Sequence, residues 1–355
     1  MRDAMLKQTA ISCLTRATYF GGATGPARRL SRRKIPILTY HSVSAAAADV
    51  SPSMTLTRMS VPAREFRRQM EYVARHYRVV TFDDLRRARA GEAELPPSAC
   101  VITFDDGYLD AYENAVPVLS ELGLTATFFV IGRTVAGRGH PWLHAVHEII
   151  DTTPAGECAA AFARADPALP PASGSTRSAL FALAWDYFLE RSRPVRQRFL
   201  DHLRADLGPP EPVYRFMEPH HLRKLRDRGF EIGSHSMEHE LMSRLSDADL
   251  RTDVSQGADA LLTILGGAPT LFCYPFGDFD GRLLAILERE GFAYACTTAI
   301  GLNDASTNRL TLHRIGVYSD TDFPRFVVRL AGLEGASRTM YQHIKSALAG
   351  RESHP

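Results

Sequence analysis

The stretch that decides the fold is VITFDDGY, residues 101–108, in which an apolar run ends in two adjacent acids and a glycine. A short apolar run bounded by a turn signal is typical of a buried strand. In parallel α/β proteins the ligand site lies at the carboxyl ends of the strands, where catalytic residues also stand. Asp105 and Asp106 point in different directions there, so one could bind a metal while the other acts as a base. A helix-capping turn is the alternative.

Apolar runs of strand length alternate with helix-period stretches along most of the chain. The predicted strands are Ile35–Tyr40, Arg78–Phe82, Ala99–Phe104, Thr125–Ile131, Phe230–Gly233, Pro269–Tyr274, Ala293–Thr297 and Thr311–Val317. The predicted helices are Val61–Ala74, Asp83–Ala90, Leu109–Leu122, Thr176–Glu190, Val195–Leu207, Pro219–Arg228, Asp247–Leu265 and Gly281–Glu290. This alternation predicts an α/β fold of βα units with a parallel sheet or barrel, and eight strands favour a barrel.

One segment breaks the alternation. Residues 151–185 contain 11 alanines and the stretch PALPPASGS. We expect residues 151–216 to form a mainly helical insertion with a looped or disordered start. The chain then divides into a basic N-terminal arm at 1–34, one elaborated domain at 35–320 and a helical tail at 321–355.

The charge of the 355 residues is unevenly distributed. The net charge is +2, but residues 1–34 hold eight basic side chains and one acid, which gives +7 there and −5 for the remainder. A net charge this small does not indicate a nucleic-acid-binding protein. The simplest interpretation of the arm is a frayed, solvated segment, and the alternative is peripheral contact with an anionic membrane.

Targeting and redox signals are weak. The arm lacks the apolar run of a secretory signal, and no stretch reaches the ~18 apolar residues of a membrane-spanning helix. The five cysteines are scattered and form no CxxC pair, which favours a reducing compartment. We therefore expect a cytoplasmic protein, with association at the inner membrane face as a hypothesis.

A second motif, GSHSMEH at residues 233–239, also follows a predicted strand. Its two histidines are four residues apart, a spacing that places them on one face of a helical turn, although such a pair alone is more often ordinary surface or core histidine. Together with Asp106, His235 and His239 make a three-ligand site with open positions for water. Asp105 is then placed to take the water's proton. The facial triad of non-haem iron oxygenases uses the same residue types, but the alternation of strands and helices disfavours it.

Two further strand ends carry candidate groups. In FCYPFGD, residues 272–278, a turn could aim the backbone N–H of Phe276 at an oxyanion. His41 follows the first predicted strand and could protonate a leaving group.

Other candidates lie at residues 140–147. The histidines at 140, 144 and 147 are interpreted as a solvated or groove-lining helix face, and Trp142 is a candidate for stacking on a sugar ring.

Taken together, TFDDG at 103–107, HSMEH at 235–239 and YPFG at 274–277 resemble the motifs of the polysaccharide deacetylases of carbohydrate esterase family 4, with their chitooligosaccharide (nodulation-type) deacetylase homology domain. The similarity runs from about Ile35 to Val317. It implies a distorted (β/α) barrel of about seven strands. It also implies that Asp106, His235 and His239 hold one divalent metal ion, with Zn²⁺ expected ahead of Co²⁺, Ni²⁺ or Fe²⁺. Asp105 would be the general base, and the Phe276 amide would hold the oxyanion.

The general acid departs from the common family pattern. Many members carry it in a Leu-x-His motif, whereas RLTLHRI at 309–315 reads Thr-Leu-His. The strand with the Tyr-His pair at Leu38–Val43 is similar to that of the circularly permuted poly-N-acetylglucosamine deacetylases. The resemblance therefore favours His41 as the acid, with His313 as the alternative, and gives Arg314 the role of supporting a carboxylate such as Asp105.

The resemblance implies hydrolysis of N-acetyl groups on a polysaccharide, an oligosaccharide or a lipid-linked saccharide, releasing acetate and a free amino sugar. The expected partner is an N-acetylated glycan. The alternative is an inactive relative that binds carbohydrate or docks on a membrane. The sugar, N- versus O-deacetylation and the oligomeric state stay open.

Overall fold

Ten short strands organise the part of the chain that the structure describes. The computed structural model describes residues 12–46, 50–170 and 176–333. The strands are β1 (Ile37–Tyr40), β2 (Ser42–Ser44), β3 (Ser60–Pro62), β4 (Arg78–Val79), β5 (Ala99–Phe104), β6 (Thr127–Val130), β7 (Glu231–Ser234), β8 (Leu271–Cys273), β9 (Tyr294–Ile300) and β10 (Leu312–Gly316). All eight predicted strands are present, several shortened by one to three residues at an end.

Seven of the strands close a parallel barrel. Strands β5 to β10 pair in sequence order, and β1 closes the ring by pairing with both β5 and β10. The register places Thr39 opposite both Thr103 and Gly316. The prediction of an α/β barrel of about seven parallel strands is therefore confirmed. β4 pairs only with the first residues of β5, and the unpredicted β2 and β3 form a separate two-stranded sheet.

Helices follow most of the strands. Their bounds are Thr24–Leu30, Pro52–Thr57, Ala63–His76, Phe82–Arg89, Val116–Glu121, Gly132–Val135, Trp142–Thr152, Ala155–Ala165, Arg177–Glu190, Arg193–Leu207, Pro219–Asp227, Asp247–Leu265, Gly281–Arg289 and Phe323–Leu330. The helix Asp247–Leu265 has the predicted bounds. Ser246 caps its start by accepting a hydrogen bond from the Asp249 N–H, and Gly266 ends it in a left-handed conformation.

The helices between β6 and β7 have a hydrophobic core of their own. Phe162, Phe188 and Phe199 pack together there, and Phe276 of the barrel packs against this cluster. The expectation of a looped or disordered start was wrong for Ala155–Ala165, which is helical because Cys158, Ala161 and Phe162 give it one buried face. Residues 171–175 lie outside the described residues.

Both ends of the chain are described in part. Residues 1–11 of the basic arm and 334–355 of the tail lie outside the described residues. Residues 12–20 are helical, and Arg16 pairs with Asp322 at 3.1 Å while Tyr19 packs on Phe323. This part of the arm is therefore docked rather than frayed. Within the described ranges, no helix has the length and apolar character needed to cross a membrane.

The packing inside the barrel gives a stability prediction. A Cβ on Gly233 of β7 would lie 2.5 Å from the ring of Phe129. We expect Gly233→Ala to lower the free energy of unfolding by about 1–3 kcal/mol, because overpacking forces side chains and backbone to shift. Urea denaturation measures this. The control is Gly156→Ala, in the helix Ala155–Ala165, where a Cβ meets nothing within 4 Å. An equal loss in both variants would contradict the prediction.

Candidate metal centre

Three buried side chains converge at the carboxyl end of the barrel. Asp106 follows β5, and His235 follows β7 directly. The Nε2 atoms of His235 and His239 each lie 3.3 Å from Oδ1 of Asp106. Their candidate ligand atoms all lie within 4.8 Å of one another. The structure thus brings together the three residues predicted to hold the metal.

The hydrogen bonding around these residues fits a divalent cation. Nδ1 of His235 lies 2.7 Å from the backbone carbonyl oxygen of Cys273, to which it donates, leaving the Nε2 lone pair facing Asp106. Oδ1 of Asp106, at the centre of the group, has no hydrogen-bond partner among the described residues. Two imidazole nitrogens and one carboxylate oxygen form a donor set typical of catalytic zinc and related ions.

A second group, Asp105 with His235 and Cys273, also has metal-ligand spacing. Both oxygens of Asp105 are already held by the Arg314 guanidinium, at 2.8 and 2.7 Å. The group centred on Asp106 is therefore the better cation site.

The backbone around the ligands is held in an uncommon conformation. Asp106, Ser236 and His239 have φ angles of 70°, 64° and 55°, in the left-handed region that non-glycine residues rarely adopt. Asp253 stabilises the loop that joins His235 to His239, because its carboxylate accepts hydrogen bonds from the N–H groups of Met237 at 2.9 Å and Glu238 at 3.2 Å. Burial raises the pKa of Asp253 to about 6. Such strain clusters at functional sites when the surrounding structure enforces it.

The electrostatics put Asp106 and His239 in metal-binding protonation states. Burial alone would raise the pKa of Asp106, but contact with His235 and His239 lowers it well below its usual range. Burial lowers the pKa of His239. For His235, burial also lowers the pKa, but interactions with Cys273 and Asp106 outweigh it and raise the pKa, so metal binding there would release a proton.

Asp105 occupies a fully paired buried site. Besides Asp105, the Arg314 guanidinium donates to the carbonyl of Thr297 at 2.8 Å and to the hydroxyl of Thr103 at 3.2 Å. Burial would raise the pKa of Asp105, but Arg314 lowers it below its ordinary value. Asp105 is therefore an ionised carboxylate that can accept a proton. Moving it would break its ion pair with Arg314.

The remaining predicted residues divide into two groups. His41 follows β1, and its Nε2 lies 4.0 Å from Oδ2 of Asp105. Phe276 has a φ of 57°, its ring packs 4.7 Å from that of His239, and its N–H finds no acceptor among the described residues. His41, Phe276 and Arg314 line the same cavity as the Asp106 group, whereas His313 does not line it and packs against Gly301.

The cavity above the centre has a volume of about 530 Å³. The sequence interpretation included a groove-lining helix face, and the structure places His144 and His147 of that helix in the cavity wall, whereas Trp185 of the wall was missed. His144 is buried, and its Nε2 lies within hydrogen-bond distance, 2.7 Å, of the Tyr108 hydroxyl. Trp142 is buried and stacks on Phe188, so Trp185, 38% exposed on the cavity, is the better candidate for sugar stacking. The three-residue spacing of His144 and His147 is the signal that these two share one buried face.

Comparison with known proteins identifies the family. Residues 92–295 match the sequence profile of the polysaccharide deacetylases. The chain belongs to the polysaccharide deacetylase family. The family match contains Asp105, Asp106, His235, His239 and Phe276. The candidate acids His41 and His313 and the supporting Arg314 lie outside it.

Two curated relatives extend the match toward both ends. YxkH of Bacillus subtilis, named for the same family, is 19% identical over 285 residues, which cover 80% of this chain and 71% of YxkH. The poly-β-1,6-N-acetyl-D-glucosamine N-deacetylase of Escherichia coli is 23% identical over 318 residues, or 86% of this chain. This chain spans only 40% of the length of the E. coli protein.

Solved structures share the fold at low identity. The Streptococcus pyogenes deacetylase PplD has a TM-score of 0.56 and 18% identity, covering 84% of this chain and 98% of its own. IcaB from Ammonifex degensii gives 0.55 and 18%, with the same coverage. The de-N-acetylase of Aggregatibacter actinomycetemcomitans gives 0.54 and 16%, covering 83% and 99%.

The Asp106 group gives a metal-binding prediction. We expect Zn²⁺ at 100 times its Kd to stabilise the protein by about 2.7 kcal/mol, because only the folded chain assembles the three ligands. Thermal unfolding with and without Zn²⁺ measures the gain, and His239→Gln should abolish most of it. The control is His202→Gln, on the exposed face of the helix Arg193–Leu207. If both variants kept the full gain, the ligand assignment would be wrong.

Proposed function

We propose that the protein is a metal-dependent N-deacetylase of an N-acetylated glycan, producing acetate and a free amino sugar. The observation that carries the proposal is the buried Asp106, His235 and His239 group beside the ionised carboxylate of Asp105, inside one large cavity. Zn²⁺ is the proposed ion on its donor set, with Co²⁺, Ni²⁺ and Fe²⁺ as alternatives.

The residues divide the work of hydrolysis. An ion held by Asp106, His235 and His239 would supply Lewis acidity to a water and to the acetyl carbonyl. Asp105 accepts a proton from the attacking water while the oxygen of that water forms a bond to the carbonyl carbon. The Phe276 N–H donates a hydrogen bond to the oxygen that becomes negatively charged. Arg314 keeps Asp105 ionised and oriented, so it is a positioning residue.

Loss of the amine requires a proton donor. His41 is proposed for this role because it lines the cavity and lies 4.0 Å from Asp105, whereas His313 lies outside the cavity lining. The carbon–nitrogen bond breaks as His41 protonates the nitrogen, which leaves acetate and the amine.

The proposed substrate class is supported by the family and by the position of β1. The likenesses to the E. coli enzyme and to IcaB support a place near the circularly permuted poly-N-acetylglucosamine deacetylases, since β1 and His41 precede the Asp105 motif. The proposed partner is therefore an N-acetylated polysaccharide, oligosaccharide or lipid-linked saccharide. Contact of residues 1–34 with anionic membrane remains a separate hypothesis.

Asp105 gives the first activity prediction. We expect Asp105→Asn to reduce acetate release from N-acetylglucosamine oligomers by about 10²- to 10⁴-fold, because an amide cannot accept the water's proton. Acetate is measured with the zinc-loaded protein, and zinc content by elemental analysis. Zinc should remain bound, since Asp106 and both histidines are intact. Wild-type rates in the variant would exclude Asp105 as the base.

The general acid gives the second activity prediction. We expect His41→Gln to lower kcat for acetate release by about 10²-fold or more, because the amine then departs without a positioned proton donor. His313→Gln should change kcat less than twofold, since the imidazole packs against Gly301 outside the cavity. The opposite ranking of the two variants would assign the role to His313.

An inactive relative that binds carbohydrate or docks on a membrane is the competing function. It predicts a protein that binds zinc but releases no acetate from any N-acetylated or O-acetylated glycan in a panel. The ionised Asp105 beside an intact ligand set favours the enzyme.

A further inference from the structure

A second pocket is lined with arginines and with Glu238 and Glu240, the two sequence neighbours of His239. It has a volume of about 200 Å³. We call it the arginine pocket, and its charged members are Arg133, Arg138, Arg193, Arg196, Arg204, Glu238 and Glu240. The helix Arg193–Leu207 supplies three of the arginines, and the other two come from residues after β6. Part of its wall is Trp142, whose ring also lies 6.3 Å from that of Phe276.

The carboxylates in this pocket do not balance its guanidinium groups. Glu238 is shared by Arg133 at 2.6 Å and Arg193 at 3.2 Å, and Glu240 pairs with Arg196. Of the other two, Arg204 reaches only Asp201, at 3.6 Å. The guanidinium of Arg138 has no hydrogen bond or ion pair within the part of the chain that the structure describes. Five guanidinium groups line this small space, and three carboxylates, those of Glu238, Glu240 and Asp201, pair with them, which leaves an excess of positive charge.

Arg196 adds an unsatisfied donor to this excess. The residue is 6% exposed, and its Cζ lies 4.8 Å from the centre of the Trp142 ring. Its Nε finds no acceptor among the described residues. Glu240 therefore satisfies only part of this guanidinium, whose charge lies at the wall of the pocket.

We propose that the arginine pocket binds a phosphate group. Guanidinium forks match phosphate oxygens in pairs, and such donors are supplied by Arg138, which has no side-chain partner among the described residues, and by Arg204, whose ion pair with Asp201 is 3.6 Å long. A carboxylate would satisfy fewer of these donors and neutralise less of the charge. The proposal stands on binding alone and does not depend on deacetylation.

Inorganic phosphate is the probe for this site. Calorimetric titration of the zinc-loaded chain at constant ionic strength should show saturable binding that Arg138→Gln/Arg204→Gln weakens at least about tenfold. Both side chains are partly or fully exposed, so the fold should survive. The control Arg223→Gln/Arg251→Gln removes the same charge from exposed positions outside the pocket and should change the affinity less than twofold. Phosphate bound only at the zinc would be insensitive to both pairs, and that result, or no binding in the wild type, overturns the proposal.

A phosphate substituent of a glycan and a free phosphate ion present the same oxygens, and a second measurement separates these sources. KM for acetate release is compared for a neutral N-acetylated oligosaccharide and for the same oligosaccharide carrying phosphate. If the substituent occupies the pocket, Arg138→Gln/Arg204→Gln raises KM at least about tenfold for the phosphorylated substrate alone. If the free ion is the ligand, the double variant weakens phosphate binding while both KM values stay equal.

Discussion

The pairing of Arg314 with Asp105 is the interaction on which the site depends. Arg314 lies on β10 and Asp105 follows β5, the two strands that β1 joins when it closes the barrel. Both side chains are buried, and breaking a buried ion pair by removing one partner costs about 3–5 kcal/mol. The geometry meets this demand, since the guanidinium also bonds to Thr297 and Thr103 and contacts Cys273 Sγ at 3.1 Å. Closing the barrel and fixing the proposed base are therefore one structural event.

The position of Asp106, next to Asp105 in the sequence, depends on the same closure of the barrel. With Asp105 fixed, Asp106 takes a left-handed backbone and its carboxylate turns toward His235 and His239. Between His235 and His239, the backbone N–H groups of Met237 and Glu238 donate hydrogen bonds to the carboxylate of Asp253. Close packing leaves no room for larger residues, because a Cβ on Gly257 would lie 2.9 Å from the carbonyl carbon of Ser236. The ligands are held by backbone geometry as much as by their own side chains.

Local sequence signals predicted the barrel well because its strands are short, apolar and separated by turns. The helix Asp247–Leu265 could be bounded from Ser246 and Gly266 alone, since capping is a local interaction. Strands β2 and β3 were missed, because three-residue strands carry too little pattern and depend on pairing with each other. The helix Ala155–Ala165 was missed because its alanine-rich surface hides a narrow buried face that only the neighbouring helices reveal.

In the candidate site, too, local sequence signals predicted some residues and long-range contacts decided the others. Asp105, Asp106, His235 and His239 could be found because each follows a predicted strand, and parallel strands bring their ends together. The choice between His41 and His313 could not be made from spacing, because both lie at barrel strands and the sequence does not say which side chain reaches the cavity. The spacing of His144 and His147 indicated a shared helix face, but that this face and Trp185 line the cavity depends on how the helical insertion folds over the barrel, which is a long-range contact.

Asp105 and His41, the proposed base and the proposed acid, have unequal environments within one cavity. Arg314 stabilises the ionised form of Asp105 and so lowers the pKa of this carboxyl group. Asp105 is therefore a weak base, but it is present in the ionised form that can accept a proton. His41 has one nitrogen near that carboxylate and its Nδ1 without a partner among the described residues. In the proposed mechanism Asp105 takes up the proton of the water first, so the negative charge that lies 4.0 Å from His41 is neutralised before the transfer to the amine. Under that proposal Arg314 keeps Asp105 ionised for the first of the two proton transfers.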